Sequence, residues 1–243
     1  MNNVALIIST YDDSEDLWRP LEQTYLRYWK DIDFPIYLST NNKVFDSTLF
    51  NSLKIGNELS WSDNLIKSLH NINQDYVLLT FDDLFLTSQV NHNFIVQLMN
   101  RAIQKEFNYL QFYRSISKGR RIDNVVFKKS NKTRYKNSAI WSFWKKDILL
   151  SLLQRKENAW EFEINGNIRS YEYDNFYSTR KNVIPFVNGV IKGIWNPLAK
   201  NKLRKLGFSI CQNRETLGPL DVLKYKIRDL QFDFATYIIH KIY

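Results

Sequence analysis

The chain has 243 residues, of which 44% are hydrophobic and 24% are charged, and its formal net charge is +9. This balance excludes a globally disordered chain, and the single cysteine, Cys211, excludes an internal disulfide or a cysteine-rich metal site. No run of 18 apolar residues is present and the first residues lack a basic secretory start, so we expect neither a membrane-spanning helix nor a signal peptide.

The first forty residues predict a strand, a helix and a second strand. The apolar, β-branched run Val4–Ser9 is typical of a buried parallel strand. After the polar turn 10–14, hydrophobic residues recur at helical spacing over residues 17–29, and residues 34–39 predict the next strand. Strand, helix, strand is the βαβ unit, so we predict an α/β fold with a mostly parallel central sheet flanked by helices.

The same alternation continues to about residue 113. The run Ser60–Asp63 offers N-cap residues for a helix, and Asp75–Phe81 predicts a buried strand that ends abruptly at two aspartates. A helix around Phe94–Lys105 and a strand at Tyr109–Tyr113 follow. These elements extend the predicted α/β domain.

The second half of the chain is less regular. The basic, polar stretch Ser117–Lys136 predicts a β-hairpin or a mobile loop. Beyond it the pattern predicts a strand at Ala139–Trp144, a short helix at Asp147–Leu153, a helix or a tight turn beginning at Ala159–Glu163, and a last short strand at Val183–Val187.

The C-terminal part has a different composition, and we divide the chain into a domain over 1–195 and a basic helical extension over 196–243. From Ile191 to Tyr243, ten Lys and Arg residues stand against four Asp and Glu. Leu198–Phe208 is a basic amphipathic segment suited to a membrane interface. Leu220–Tyr237 carries an apolar seam at helical spacing. We expect this seam to pack on the core or in a dimer in preference to entering lipid.

Two adjacent carboxylates, Asp82 and Asp83, directly follow the predicted strand Asp75–Phe81. In open α/β sheets, ligands bind beyond the carboxyl ends of the strands. Buried neighbouring carboxylates repel each other, and a hard divalent cation that carries a diphosphate would relieve that repulsion. The alternative is that the pair only caps the next segment or starts a turn.

The turn after the first strand offers a second candidate for ligand binding. Tyr11 and Asp12 follow Thr10 at the carboxyl end of that strand, where a base and a ribose could be held. The alternative is an ordinary strand-to-helix loop in which Asp12 or Ser14 caps the helix. Neither a dinucleotide-binding glycine pattern nor a P-loop is present, which excludes those two nucleotide-binding motifs.

A third candidate is the run Ala159–Glu163, in which Glu161 and Glu163 flank an aromatic residue. A sugar transfer that inverts the anomeric centre needs a base for the proton of the acceptor hydroxyl, and an adjacent aromatic side chain could pack on the acceptor ring. On a strand, residues two apart share a face, so the spacing does not choose between the two glutamates. The alternative is that both are surface residues that alternate with core aromatics.

With these residues in order, the chain resembles small bacterial glycosyltransferases encoded among capsule and O-antigen (surface polysaccharide) synthesis genes. The resemblance spans about Val4 to Trp195 and rests on an ordered set of segments: Ile7–Asp12, Trp18–Trp29 with Pro35–Leu38, Leu59–Ser62, Asp75–Asp83, Ala159–Glu163 and Gly189–Trp195. It implies a GT-A (Rossmann-like) fold, a nucleotide-diphosphate sugar donor and an acidic D-x-D-like motif.

The resemblance also implies roles for individual residues. The acidic motif falls on Asp82 and Asp83, with Leu84 where the final aspartate of a strict D-x-D would stand. It implies that Asp83 binds the divalent metal cofactor, Mn²⁺ or Mg²⁺, and that Glu163, or else Glu161, is the catalytic base. The nucleotide-binding set that it implies is Thr10, Tyr11, Asp12, Trp61, Asp82 and Lys192.

Further expectations concern the leaving group, the acceptor and the membrane. Lys192 would neutralise the departing diphosphate, with Arg169 as a weaker candidate. The resemblance implies an acceptor glycan on a lipid carrier, and the basic tail would hold a cytoplasmic protein to the inner face of the membrane. We also expect a homo-oligomer if the C-terminal seam pairs with its own copy.

Three other functions compete with glycosyl transfer. A nucleotidyltransferase would share the α/β core and the acidic metal ligands, but it would usually carry a glycine-rich loop after the first strand, which is missing here. A nucleic-acid-binding protein would use the basic stretch from Lys118 to Lys132, although no recognised nucleic-acid-binding motif accompanies it, so we expect no nucleic-acid partner. An inactive scaffold of polysaccharide assembly is the third.

Overall fold

The computed structural model describes residues 1–210, 214–225, 227 and 230. The strands are β1 (Val4–Ser9), β2 (Ile36–Thr40), β3 (Asn51–Lys54), β4 (Tyr76–Phe81), β5 (Leu84–Leu86), β6 (Tyr109–Gln111), β7 (Gly119–Arg121), β8 (Val126–Lys129), β9 (Ser142–Lys145), β10 (Phe176–Thr179), β11 (Phe186–Asn188), β12 (Val190–Ile191) and β13 (Ile194–Trp195).

The helices are α1 (Glu15–Tyr28), α2 (Trp61–His70), α3 (His92–Gln104), α4 (Lys146–Leu152), α5 (Ala159–Glu161), α6 (Asn167–Arg169) and α7 (Pro197–Lys205). A π-helical turn over Phe162–Gly166 joins α5 to α6, so residues 159–169 form one continuous helical segment. Short 3₁₀ turns stand before α1, at Asp12–Ser14, and after α6, at Ser170–Glu172.

A nine-stranded sheet in the order β3-β2-β1-β4-β9-β6-β10-β8-β7 forms the centre of the molecule. Within it β8 and β9 run against the other strands. The prediction of a mostly parallel sheet flanked by helices is therefore confirmed. The pattern did not predict β3, β5, β10, β12 or β13. The predicted strand at 139–144 begins only at Ser142, and the strand predicted at 183–187 as the last one begins only at Phe186 and is followed by two more.

Helices cover both faces of the sheet, and the alternation of β1 explains why its run is apolar throughout. Val4, Leu6 and Ile8 face one hydrophobic cluster, which contains the buried sides of α1 and α3. Ala5 and Ile7 face a second cluster, with α2, α4 and Phe162. Successive strand residues point to opposite faces, so a strand covered on both sides is hydrophobic at every position.

Helix caps explain where two of the functional segments begin. The Ser60 side chain accepts a hydrogen bond from the Asp63 backbone N–H at 3.1 Å, which confirms the predicted start of α2. Asn158 and Glu161 form a reciprocal capping box at the start of α5. The segment after Asn158 is therefore helical, which was one of the two predicted alternatives. Glu161 and Glu163 do not share a face as they would on a strand.

The C-terminal segment begins with α7, which packs on the body through Ala199, Leu203 and the following Phe208. Residues 219–225 are again helical. Of the predicted apolar seam, Leu220 (75%), Leu223 (54%), Ile227 (48%) and Leu230 (68%) are exposed, so these four do not pack on the core. Its remaining predicted residues, Phe234 and Tyr237, lie outside the described residues, as does Cys211. In the described part of the chain no helix is long and apolar enough to cross a membrane.

Candidate functional site

A cavity of about 750 Å³ lies beyond the carboxyl ends of β1 and β4. Its lining combines carboxylates, cations, amides and aromatic rings. The residues are Tyr11, Ser14, Leu17, Asp82, Asp83, Tyr113, Arg114, Trp160, Asn182, Phe186, Val187, Asn188, Val190, Ile191, Lys192, Gly193, Asn196, Arg214 and Tyr225. Of the predicted site residues, it brings together Tyr11, Asp82, Asp83 and Lys192.

The acidic turn sits between β4 and β5 and is fixed from the first strand. The Thr10 hydroxyl donates to a carboxylate oxygen of Asp82 at 2.5 Å, and the indole N–H of Trp18 donates to the Thr10 oxygen at 2.8 Å. Behind the turn, the Gly189 N–H donates to the Asp83 carbonyl at 2.7 Å. A Cβ on Gly189 would stand 2.3 Å from the Phe85 ring, so only glycine allows this approach. Thr10 thus orients Asp82 and does not itself line the cavity.

Burial makes the carboxyl groups of Asp82 and Asp83 weaker acids than usual. Desolvation raises the pKa of both carboxyl groups, and the charge of Asp82 raises the pKa of Asp83 further. The hydrogen bond from Thr10 and the charge of Arg214 act in the opposite direction on Asp82. The pair therefore needs additional positive charge to be ionised fully at neutral pH.

Arg214 is a cavity residue that the sequence did not reveal. Its guanidinium makes a two-pronged ion pair with the Asp16 carboxylate of α1, at 2.6 and 3.0 Å, and it donates to the Gly193 carbonyl at 2.9 Å. The pair fixes a cation beside Asp82 and ties the C-terminal segment to the body. Its partner lies 198 positions away in the sequence, and no local pattern marks such a contact.

Lys192 lies at the tip of a small hairpin formed by β12 and β13. Lys192 and Gly193 both have positive φ, 50° and 81°, which are the backbone conformations of a two-residue type I′ turn. A lysine in the left-handed region is strained, and such residues cluster at functional sites. The turn thus places Lys192 in the cavity lining.

Three other predicted residues have different surroundings. The Asp12 carboxylate accepts backbone N–H groups from the loop after β2, at 2.9 Å from Asn41 and 3.0 Å from Asn42. Trp61 packs between Phe81 and Phe162. Arg169 holds Glu157 in a two-pronged ion pair. None of the three lines the cavity, and each one braces a loop or helix that surrounds it.

The two glutamates of the helical segment diverge. Glu161 is exposed and accepts from the Asn158 backbone N–H at 2.8 Å. Glu163 is turned inward, where one carboxylate oxygen accepts from the Ser138 hydroxyl at 2.6 Å and from the Ala139 N–H at 2.9 Å. Burial raises the pKa of Glu163, and these bonds offset part of that rise. Glu163 itself does not line the cavity.

A chain of hydroxyl groups nevertheless connects Glu163 to the cavity. The oxygens of Tyr113 and Ser138 are 2.9 Å apart, and Tyr113 lines the cavity. An ionised carboxylate only accepts and a serine hydroxyl holds one proton, so Ser138, which donates to Glu163, must accept from Tyr113. Both hydroxyl groups therefore donate toward Glu163 and away from the cavity.

A buried cation accompanies this network. The Lys129 ammonium donates to Gln111 at 2.5 Å and to the Tyr135 carbonyl at 3.2 Å, and it lies over the Tyr109 ring. Burial lowers the pKa of Lys129, and the charge of Glu163 acts to raise it. Lys129 in turn favours the ionised form of Glu163. Burial raises the affinity of Glu163 for a proton, and the nearby Lys129 favours the ionised form that can accept one.

The acidic turn could hold a divalent cation only together with other ligands. No cluster of three or more His, Cys, Asp or Glu side chains suited to a metal occurs among the described residues. Asp82 and Asp83 would supply carboxylate oxygens, and a bound phosphate and water would have to complete the oxygen shell that Mg²⁺ or Mn²⁺ prefers. The desolvated, mutually repelling pair fits such a cation, because its charge would favour the ionised forms.

Comparison with known proteins bears on the fold. No protein-family model and no curated protein matches the chain. It is similar to S. aureus TarS 1-349, with a TM-score of 0.51 and 10% identity over 76% of this chain and 59% of that one. For TarS 1-349 in complex with UDP the TM-score is 0.53, at 11% identity over 84% and 64% of the two chains. For TarS 1-349 in complex with UDP-GlcNAc the TM-score is 0.51, at 10% identity over 76% of this chain and 57% of that one.

The chain thus spans less than two thirds of these TarS structures. At this identity the likeness shows the fold alone, and the predicted fold class is confirmed.

Proposed function

We propose that this chain is a glycosyltransferase that moves a sugar from a nucleotide-diphosphate donor to a hydroxyl group of a glycan. The observation that carries the proposal is one cavity at the carboxyl ends of parallel strands in which the buried Asp82 and the half-buried Asp83 meet two cations, Arg214, which is held by Asp16, and the exposed Lys192. A nucleoside diphosphate, with or without a divalent cation, has the charge to bind between them.

The donor would lie across the strand ends. Tyr11 offers an aromatic face for the nucleobase at the end of β1, and Thr10 and Ser14 keep Asp82 in place. Asp83, on the cavity side, would hold the divalent cation with the diphosphate oxygens. The fold likeness to TarS, which was solved with UDP and with UDP-GlcNAc, supports this class of donor.

The proposed reaction is a direct, inverting displacement. The bond between the anomeric carbon and the diphosphate oxygen breaks as the acceptor oxygen forms a bond to the same carbon. Lys192 and Arg214 stabilise the negative charge that develops on the leaving diphosphate. A bound divalent cation would supply further charge neutralisation there.

Glu163 receives the acceptor's proton through two hydroxyl groups. The acceptor hydroxyl passes its proton to the Tyr113 oxygen, Tyr113 passes its own proton to Ser138, and Ser138 passes its proton to the Glu163 carboxylate. The donor directions of the hydrogen bonds support this order. In this scheme Tyr113 touches the acceptor and Glu163 is the final base.

The acceptor side of the cavity is formed by the helical segment. Trp160 lines the cavity yet is 66% exposed, so its ring is open to the face of an acceptor sugar. We propose an acceptor glycan on a lipid carrier in surface polysaccharide synthesis, and the basic segment α7 supports a location at the inner membrane surface.

Thermal unfolding with a panel of ligands tests this proposal. Nucleoside monophosphates, diphosphates and nucleotide sugars would each be added with Mn²⁺ to the wild type, to Asp83→Asn and to Asp31→Asn. Asp31 is an exposed carboxylate near the amino ends of the strands and serves as the matched control. Ligand at about 100 times its Kd stabilises a fold by about 2.7 kcal/mol, a shift of several degrees.

We expect the diphosphates and sugar diphosphates of one base to raise the melting temperature of the wild type and of Asp31→Asn, and to raise that of Asp83→Asn at most about half as far. Equal protection by monophosphates would show that the cavity does not recognise a diphosphate. Protection by no nucleotide would contradict the proposed function.

A further inference from the structure

One face of the helical segment 159–169 exposes large apolar side chains to solvent. Trp160 is 66% exposed, Ile164 65% and Ile168 61%, at intervals of four residues. The buried side of the same segment is formed by Phe162, Gly166 and the following Ser170. We call Trp160, Ile164 and Ile168 the apolar ridge.

The π-helical turn aligns this ridge. A π turn contains more residues than an α turn, so side chains four apart that would drift around an α-helix stay closer to one line. Exposed apolar surface of this kind marks an interaction site. The ridge is therefore a continuous contact surface along the segment that carries Glu163.

The ridge starts at the cavity, and a second apolar surface lies beside the same cavity. Trp160 is part of the cavity lining, and so is Tyr225 of the C-terminal helical residues. The helical stretch that contains Tyr225 exposes Leu220 and Leu223. The cavity is thus bordered by two exposed apolar surfaces that come from distant parts of the chain.

The other end of the ridge meets a basic and aromatic loop. The Lys136 backbone N–H donates to the Asn167 side chain at 2.6 Å, which joins loop 130–136 to the residue before Ile168. This loop exposes Tyr135 (53%), together with Lys132 and Arg134. Exposed carboxylates also occur on the segment and just after it, at Glu161, Glu172 and Asp174, so the cations that can meet an acidic surface are those of the loop.

We propose that the apolar ridge and the loop 130–136 rest on the surface of a bilayer that contains anionic phospholipid, with the cavity opening toward the headgroups. Apolar and aromatic side chains enter the interface while neighbouring Lys and Arg contact acidic headgroups. This inference rests on the proposed function only for its purpose, which is to bring a lipid-linked acceptor to the cavity. The contact itself depends on the surface alone.

The chemistry of the ridge favours a bilayer over a glycan as the occupant, and the oligomeric state separates a bilayer from a second copy. A glycan would be recognised by hydrogen-bonding groups around an aromatic ring, whereas Ile164 and Ile168 offer none. A second copy could bring its own exposed Glu161 to these cations, and the oligomeric state measured below tests that alternative. A bilayer with acidic headgroups complements both the isoleucines and the cations Lys132 and Arg134.

Co-sedimentation of the full chain with vesicles tests this surface. Vesicles of phosphatidylcholine alone and with added phosphatidylglycerol would be compared for the wild type, Ile164→Ser, Ile168→Ser, their double variant and Lys132→Gln/Arg134→Gln. Leu26→Ser, at a similarly exposed leucine on α1, is the matched control. Nucleotide affinity and oligomeric state would be measured on the same samples.

We expect the double isoleucine variant to bind anionic vesicles about tenfold more weakly, with an intermediate loss for each single variant. The Lys132→Gln/Arg134→Gln variant should lose only the gain that phosphatidylglycerol provides, and Leu26→Ser should bind as the wild type does.

Vesicle binding that is absent, or that is equal in the wild type and the double isoleucine variant, would overturn this inference. A change of oligomeric state with unchanged vesicle binding would instead assign the ridge to a second copy. Nucleotide affinity should be unaltered in every variant, so a failure here is distinguishable from a failure of the proposed function.

Discussion

The acidic turn between β4 and β5 and the π-helical turn that contains Glu163 both bury carboxyl groups, but they do so on different sides of the cavity wall. Asp82 and Asp83 line the cavity and face the cation Arg214. Glu163 lies behind the wall and communicates through Ser138 and Tyr113. Burial raises the carboxyl pKa at both sites. At the acidic turn this arrangement suits the binding of a cation, and at Glu163 it suits proton transfer.

The largest expected effect comes from breaking the hydroxyl chain. Tyr113→Phe should lower kcat by roughly 100-fold, a typical contribution of general base catalysis, and leave KM for the donor nearly unchanged. Phenylalanine keeps the ring against the cavity and removes only the oxygen. Steady-state kinetics measures both constants, and an unchanged kcat would remove Tyr113 from the proton path.

Glu163→Gln extends this test to pH. Because burial raises the pKa of Glu163, activity that needs its ionised form should fall on the acid side at a higher pH than an ordinary glutamate would give. The glutamine variant should retain low activity without that acid limb. In the double variant with Tyr113→Phe, the losses should not add, because both changes interrupt one path. Full additivity would show two separate roles.

A smaller effect is expected at the hairpin tip. Lys192→Gly should relieve the strain of the positive φ and stabilise the fold by about 1 kcal/mol, while it weakens nucleotide binding about tenfold through loss of the cation. Lys192→Asn is the matched variant, because asparagine tolerates the left-handed conformation and is uncharged. Calorimetric unfolding and nucleotide titration should move in opposite directions. Equal nucleotide affinity in all three proteins would exclude Lys192 from the site.

The smallest effect concerns the anchor of the helix that carries Glu163. Asp63 accepts from the Ser60 hydroxyl, from Arg155 at 2.6 Å and from the Lys156 N–H at 2.9 Å, which lowers its pKa to about 2. The folded form binds this proton less readily than the unfolded chain does. The stabilisation is therefore present above the ordinary pKa of an aspartate and is lost as the pH falls toward 2.

Asp63→Asn should cost about 1–2 kcal/mol at pH 7 and flatten the loss of stability in acid. Asp147→Asn, at an exposed carboxylate on α4, should do neither. Urea unfolding between pH 2 and pH 7 measures how the free energy of unfolding of each variant depends on pH. The same acid dependence in Asp63→Asn and in the wild type would contradict the assigned anchor.

The sequence pattern predicted those strands and helices whose limits are set by neighbouring residues in the chain. The strands Val4–Ser9 and Tyr76–Phe81 were predictable because their apolar runs end in polar turns, and the start of α2 because Ser60 is a capping residue. The strand Phe176–Thr179 was not predicted, since half of it is polar and its partners in β6 and β8 lie far away in the sequence.

In the candidate site, too, some residues could be predicted from their neighbours in the sequence and others could not. Asp82 and Asp83 follow a strand and were predictable from position alone. Arg214 was one cation among many in a basic segment, and only the folded chain brings it to Asp16. The connection of Glu163 to the cavity depends on Ser138, which lies in a loop 25 positions away in the sequence. The short, aromatic run 159–163 predicted a helix or a tight turn and did not choose between them.

The most direct test of the central claim is calorimetric titration of UDP, GDP, CDP and TDP into the wild type and Asp83→Asn, each with and without Mn²⁺. We predict selective binding of one nucleoside diphosphate, strengthened by Mn²⁺ in the wild type and weakened at least tenfold in Asp83→Asn. Failure of all four nucleotides to bind a folded protein, or equal binding by the variant in the presence of Mn²⁺, would contradict the account.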